Sequence, residues 1–551
     1  MNAHPGIGTD PLRVIESLSA LAICKQGLPA YYRTLLNSSD QVLRVAALAA
    51  LIELKALRPA EWPTAVDLAQ FGAVWSRACE YFMSIFEYDL VEACLAKPAP
   101  DVGVLRERRI RATLALANDE LFEIDLDLFF AEGALEHLNN ARSDAEQLGG
   151  WQRALPWMVR CILVQPGESR GPYTILNTLL NANQPELLAA VCRAFRQADV
   201  YPAEVAIFTS FLLVKDGRAK EAQKLLQAVP MNGLDPRMVV VSLRAKAEAF
   251  ERMGDHRQAY TTYQRQNAST GSKDIDPKAY PRAILRHSLF KLEPLPSDER
   301  AANHLVMLGF PRSGTTLLEN ALAAHPLIET MEEVPALASA INYLEIHAGK
   351  DGTVKPEDGM IARQRYYREI NRHGLKTAAQ FFVDKMPLHT AEVQLLEQLF
   401  PERRYIFSIR HPHDVILSCF KQLFKPNAAM ENFRSIEDAC RLYDFVMSRW
   451  FSVFQLGNSE RVHYVRYEQL VEDFVPTVKG VLGFVGAQWD EEIMRFPELA
   501  AARPTRTPSY QKVRGGLSVG VQSTRAAYAF LFGRPETKVL DRWVEHFGYA
   551  E

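Results

Sequence analysis

The sequence predicts two architectures in succession: an all-α superhelical region, then an α/β domain whose parallel sheet is flanked by helices. Three observations carry this. The apolar run Leu305-Val306-Met307-Leu308 feeds a glycine-bounded turn, Gly309-Phe310-Pro311-Arg312-Ser313-Gly314-Thr315-Thr316, after which Leu317–Leu322 has helical periodicity. Short apolar runs separated by helical segments recur beyond it, the pattern of a buried parallel sheet. Ahead of Leu292 the periodicity is almost wholly helical and repeats.

Taken in order, residues 1–140 contain amphipathic runs such as Val42–Lys55 and Ala73–Phe86 without a clear repeat phase, and read as degenerate helical hairpins. From 141 to 292 a small or polar turn is followed five residues later by a small or apolar residue: Gly149/Ala154, Asn183/Leu188, Gly217/Ala222 and Gly254/Ala259, at intervals of 34, 34 and 37. Pro166 falls where the second helix of the first unit would stop. Spacing and residue types resemble the tetratricopeptide repeat, whose helix pairs stack because no single pair buries its apolar stripe alone. The proline-rich stretch Leu292–Ser297 reads as a boundary. In the α/β domain, 300–551, strands are expected at His304–Leu308, Phe381–Val383, Tyr405–Ile409 and Val462–Val465. Ligands of such sheets bind beyond the carboxyl ends of the strands.

Composition narrows the function classes. A formal charge of −3 gives no global basic field for nucleic acid. The seven cysteines form no Cys-x-x-Cys pair and read as reduced core residues. The start lacks the pattern of a signal peptide, and no apolar stretch reaches the length of a membrane span. The expectation is a cytoplasmic protein. Any anion site must then be local, and the 309–316 turn is one: helix N-terminal N–H groups converge and the helix dipole favours negative charge. The glycine spacing is that of a nucleotide P-loop, but Thr315-Thr316 stands where Lys-Ser/Thr is expected, and the cation has moved to Arg312.

Other polar residues follow the expected strands. Asp384-Lys385-Met386-Pro387 ends one, and Arg410-His411-Pro412-His413-Asp414 ends another, with Ser418 eight residues after Arg410. An arginine at a strand end and a hydroxyl two turns into the next helix can converge on one phosphate. A second anion site on the same edge implies a ligand with two separated phosphate-type groups. As structural alternatives, Arg312 could pair with Glu319 and Arg410 with Asp414. The alternating His411 and His413 suggest a metal pair but lack a third ligand nearby.

From about residue 303 onward these motifs together resemble the sulfotransferases that use 3′-phosphoadenosine 5′-phosphosulfate (PAPS), most of all the branch holding the protein-tyrosine sulfotransferases. The resemblance implies that Arg312, Ser313, Gly314, Thr315 and Thr316 hold the 5′-phosphosulfate and that Arg410 and Ser418 hold the 3′-phosphate. It places Tyr467 of the run Val465–Val471 near the cofactor. It assigns nucleotide contacts to Ser509 and to Ser523 and Arg525, although Ala526 stands where the family often has tryptophan. Lys385 would stabilise the bridging oxygen, with Arg312 meeting charge on the leaving phosphate and no metal required. The base would be Glu333, next to Glu332, where adjacent carboxylates can raise one pKa; His389 is the alternative. The implied product is adenosine 3′,5′-bisphosphate (PAP) and the acceptor a hydroxyl, on a peptide or protein, a carbohydrate, a lipid or a small molecule. The repeats would hold a protein partner or self-associate. Competing readings are a P-loop kinase, disfavoured by the missing lysine, and a repeat scaffold with an inactive transferase domain.

Overall fold

The computed structural model describes residues 170–197, 200–270, 274–372, 379–502 and 525–549, all within one compact unit, 150–551. The expectations for 1–140, for the turn at Gly149 and for Pro166 lie outside the described residues.

Six helices lead: α1 (Arg170–Asn181), α2 (Pro185–Gln197), α3 (Pro202–Lys215), α4 (Ala219–Gln227), α5 (Pro236–Arg252) and α6 (His256–Thr270). Proline opens several of them, where its missing N–H costs nothing. Asp235 caps α5 by accepting the Arg237 N–H at 2.8 Å. Asn183, Gly217 and Gly254 take the turns at φ of 52°, 79° and 81°. Five residues after each, Leu188, Ala222 and Ala259 are buried. α1 to α4 and the start of α5 enclose a core of their own that includes Leu176, Phe208 and Val241.

The last hairpin belongs elsewhere. Ala247, Ala259 and Tyr263 of α5 and α6, with Ile284 of α7 (Ala279–His287) and Phe290, share one hydrophobic cluster with Val306, Leu308 and Phe407 of the sheet. Polar contacts tie the same elements. Lys421 Nζ meets Glu251 Oε1 at 2.5 Å, Asn267 donates to the Phe420 carbonyl at 2.9 Å, and His287 Nδ1 lies 2.6 Å from Glu392.

The sheet has five parallel strands in the order β3-β5-β2-β6-β7: β2 (His304–Gly309), β3 (Ile328–Glu332), β5 (Phe381–Lys385), β6 (Arg404–Ile409) and β7 (Val462–Arg466). β1 (Lys291–Leu292) and β4 (Thr353–Val354) form a separate parallel pair. β2 lies in the middle and is buried at every position, which is why it reads as a continuous apolar run. Four strands fall where the sequence places them, three of them running on at the carboxyl end to Gly309, Lys385 and Arg466. Edge strand β3 and the two-residue strands were not expected. Ile328-Glu329-Thr330-Met331-Glu332 has only two apolar residues, three apart, and its glutamates are half-buried at the sheet edge. The carboxyl ends of β2, β3, β5, β6 and β7 lie along one rim, and the predicted chemistry gathers there.

Candidate active site

The glycine turn after β2 has its own sterics. Gly314 caps α8 (Thr315–Ala323) at φ 98°, and a Cβ there would lie 2.4 Å from the Tyr467 ring. Gly309 lies against the backbone of β6, where a Cβ would meet the Ser408 carbonyl oxygen at 2.7 Å. Arg312 itself takes φ 72°, uncommon for a residue with a side chain. From below, the buried Thr390 hydroxyl accepts the Gly309 N–H at 2.9 Å and lies 2.7 Å from its carbonyl oxygen. Nothing in the spacing of the Asp-Lys-Met-Pro motif points to Thr390. The turn is thus pinned from three sides at the N-terminus of the buried helix α8.

The sequence assigns Arg312 to one anion site and Arg410 with Ser418 to another; the structure joins them. Arg312 Nε donates to Ser418 Oγ at 3.0 Å, and Arg410 Nη1 donates to the Arg312 carbonyl at 3.1 Å. The Arg410 guanidinium lies 4.4 Å from the Tyr467 ring centroid, a cation–π contact that fixes its plane. Ser418 rides on α12 (Pro412–Lys421), which follows α9 (Ala336–His347), α10 (Pro356–Arg372) and α11 (Val393–Leu399) along the chain and which His411 caps by accepting the His413 N–H. Burial, with help from Arg410 and Arg244, lowers the Arg312 guanidinium below its ordinary value. That crowding of cations favours an anion between them. The buried Ser313 hydroxyl has no hydrogen-bond partner among the described residues, which fits a loop built to hold a phosphate-type group.

Lys385 at the end of β5 is fully buried. Its ammonium lies 3.1 Å from Glu333 Oε1, 3.4 Å from Glu319 Oε2 and 3.5 Å from Glu332 Oε1. Burial alone would lower the ammonium, yet Glu319, Glu333 and Glu332 together hold it above its ordinary value. β3 and β5 pair Glu332 with Lys385 in register, and the Glu333 N–H donates to the Lys385 carbonyl at 2.9 Å. Glu319 therefore faces Lys385, not the open rim. Its position one turn past Thr315-Thr316 was visible in the sequence; the direction of its side chain was not.

The remaining candidates divide. Burial pushes His389 down to about 3, and its Nδ1 is buried without a hydrogen-bond partner among the described residues, so it would take up a proton poorly at neutral pH. Arg525 Nη1 lies 3.5 Å from Asp414 Oδ2 on the first turn of α12, and Arg410 is held by other partners. Ser509 and Ser523 lie outside the described residues. His413 stacks on Phe532 at 3.9 Å, and no group of His, Cys, Asp or Glu among the described residues is arranged to hold a metal. No helix among the described residues is long and apolar enough to cross a membrane. Cys192, Cys419 and Cys440 are buried and free of disulfides. Glu468 was missed as a fastener: it accepts the His411 N–H at 3.0 Å and the Tyr549 hydroxyl at 2.7 Å, locking the rim to the C-terminal segment.

Comparison with known proteins places this site. Residues 305–491 match the model of the sulfotransferase family. The chain is 25% identical over 226 residues to an uncharacterized protein of Aquifex aeolicus, an alignment covering 39% of this chain and 29% of that protein. It is 23% identical over 273 residues to protein-tyrosine sulfotransferase 1 of Danio rerio, covering 42% of this chain and 76% of the relative. With protein-tyrosine sulfotransferase 2 of Gallus gallus the identity is 25% over 201 residues, covering 35% and 53%. Among solved structures, the sulfotransferase domain of the curacin biosynthetic pathway is 16% identical with a TM-score of 0.32, covering 47% of this chain and 99% of that domain. The sulfotransferase domain of the Synechococcus olefin synthase is 19% identical with a TM-score of 0.27, covering 44% and 100%. Residues 305–491 thus match the sulfotransferase family model, and the chain is similar, at 23–25% identity, to protein-tyrosine sulfotransferases.

Proposed function

We propose that this protein transfers the sulfuryl group of PAPS to an acceptor hydroxyl and releases PAP. One observation carries the reading: a fully buried, carboxylate-flanked Lys385 shares a sheet rim with the glycine turn and with the Arg312–Ser418–Arg410 cluster. The turn and Arg312 would receive the phosphosulfate, and Arg410 with Ser418 the 3′-phosphate. The acceptor oxygen forms a bond to sulfur as the bond from sulfur to the 5′-phosphate oxygen breaks. Glu333 takes the acceptor proton, and Lys385 donates to the oxygen that leaves. Sulfuryl transfer develops its charge mainly on that leaving phosphate, which positioned donors stabilise. The relatives named for protein-tyrosine make a peptide tyrosine the first acceptor to test. The helices from Arg170 to Thr270 we read as tetratricopeptide-like hairpins that hold a protein partner, supported by the phased turns at Asn183, Gly217 and Gly254.

The direct test is calorimetric titration with PAP. Wild type is expected to bind. Arg410→Ala, which removes charged hydrogen bonds worth about 1.5–3 kcal/mol, should bind on the order of 10- to 150-fold more weakly. Absence of binding to wild type, or an unchanged affinity in Arg410→Ala, would refute the assignment.

A further inference from the structure

The three carboxylates around Lys385 differ in freedom. Glu319 sits on α8 with its side chain 2% exposed, and its other oxygen accepts the Thr330 hydroxyl at 3.2 Å. Glu332 is fixed by the β3–β5 register opposite Lys385, its side chain 10% exposed. Glu333 is the first residue past the strand, at φ 51°, with its side chain 34% exposed. Its backbone is anchored to Lys385, while its carboxylate faces the rim. Asp384, next along the strand, engages the Tyr366 hydroxyl at 2.6 Å.

One ammonium among three carboxylates carries a local excess of negative charge when all are ionised. A phosphosulfate approaching Lys385 meets that excess before it meets the cation. A carboxylate must withdraw, and only Glu333 has both the exposure and the freedom from helix and strand to do so. Resting on the sulfuryl-transfer reading above, we propose that Glu319 is a positioning residue, the fixed counter-ion that holds Lys385 on the rim, and that Glu333 is an exchangeable latch which gives up Lys385 to the incoming phosphate-type anion and then faces the acceptor hydroxyl. Donor binding would then release the base as a consequence of its own charge. The ion pair that keeps Glu333 on Lys385 also keeps it from the acceptor until the donor has arrived. Lys385 keeps its proton throughout, because the charge of Glu319, which helps hold its ammonium above the ordinary value, stays in place 3.4 Å away.

The test uses the full chain and PAP as probe, titrated by calorimetry across pH. Glu333→Gln removes the competing charge and is expected to bind PAP about tenfold more tightly than wild type. Glu319→Gln is expected to lose PAP affinity at a lower pH on the alkaline side than wild type does, because its lysine surrenders the proton sooner. A merely structural role for Glu319 would lower affinity without displacing that limb. Where Glu319→Gln does not fold, Thr330→Val, which loosens Glu319 without deleting it, is expected to displace the limb in the same direction by less. Equal PAP affinity in wild type and Glu333→Gln would overturn the latch. An alkaline limb unmoved in Glu319→Gln, or in Thr330→Val where that stands in, would overturn the positioning role. Wild type that binds no PAP would overturn the underlying sulfuryl-transfer reading, a result distinct from both.

Discussion

Lys385 shows how burial turns an ordinary residue into a chemical one. Its ammonium is removed from water and survives charged only because Glu319, Glu333 and Glu332 surround it. Lys385→Met keeps the length and removes the donor; with an acceptor in hand, turnover should fall by about 100-fold or more, while PAP affinity falls by less because the proposed 3′-phosphate contacts of Arg410 and Ser418 are left in place. Steady-state rates set beside calorimetric affinities check this, and equal losses in both would contradict it. Its neighbour Asp384 carries the opposite consequence. Burial pushes its carboxyl from 3.8 up to about 6, against the Tyr366 hydrogen bond and the fields of Arg403 and Lys385. A carboxyl raised in the folded state supports stability at low pH, and that support is lost as pH rises from about 4 through 6. Asp384→Asn should therefore flatten the stability profile across that window, measured by urea unfolding at a series of pH values. Both side chains were named by the sequence motif, but their opposite environments come from strand alternation: Lys385 turns to the rim carboxylates and Asp384 to Tyr366.

At the scale of elements, α12 carries the 3′-phosphate assignment and is braced along its whole length. Arg525 meets its first turn, Arg312 its middle through Ser418, and Asn267 and Glu251 its last turn. Glu251 is the hub, accepting also from Tyr263 at 3.0 Å and Tyr528 at 2.5 Å. Despite burial, Lys421 and these hydroxyls hold its carboxyl below the ordinary value, so the bracing is present above about pH 4.5 and lost as pH falls through the depressed value. A double-mutant cycle of Glu251→Gln and Lys421→Met should return a coupling of about 1–3 kcal/mol in thermal unfolding. Additive single-mutant effects would show that the pair does not brace α12. The periodicities that announced α5, α6 and α12 separately gave no sign of this joint. Helical patterning reports which face is covered, not by what. Edge strand β3 escaped notice for a related reason, its apolar residues Ile328 and Met331 lying three apart and giving neither an apolar run nor an alternation.

For the molecule as a whole, the helical region and the sheet are not independent bodies from α5 onward. Ala247, Ala259, Tyr263, Ile284 and Phe290 fill the same core as Val306 and Leu308. A fragment beginning at residue 300 would expose that surface and leave Glu392 without His287 and Lys421 without Glu251. It should be poorly soluble or melt well below a fragment beginning at residue 235, which retains α5 to α7; scanning calorimetry of the two decides it. The sequence by itself determined the glycine turn, four of the five strands of the main sheet, and the identity of most residues on the rim. Those depend on backbone sterics and on periodicities that act within a few residues of one another. Tertiary structure alone decided that Glu319 serves Lys385, that Arg312 reaches Ser418 and that the last hairpin closes the domain's core. Each of those pairings joins segments tens to more than a hundred residues apart, and packing of the elements, not their local pattern, sets which charges meet.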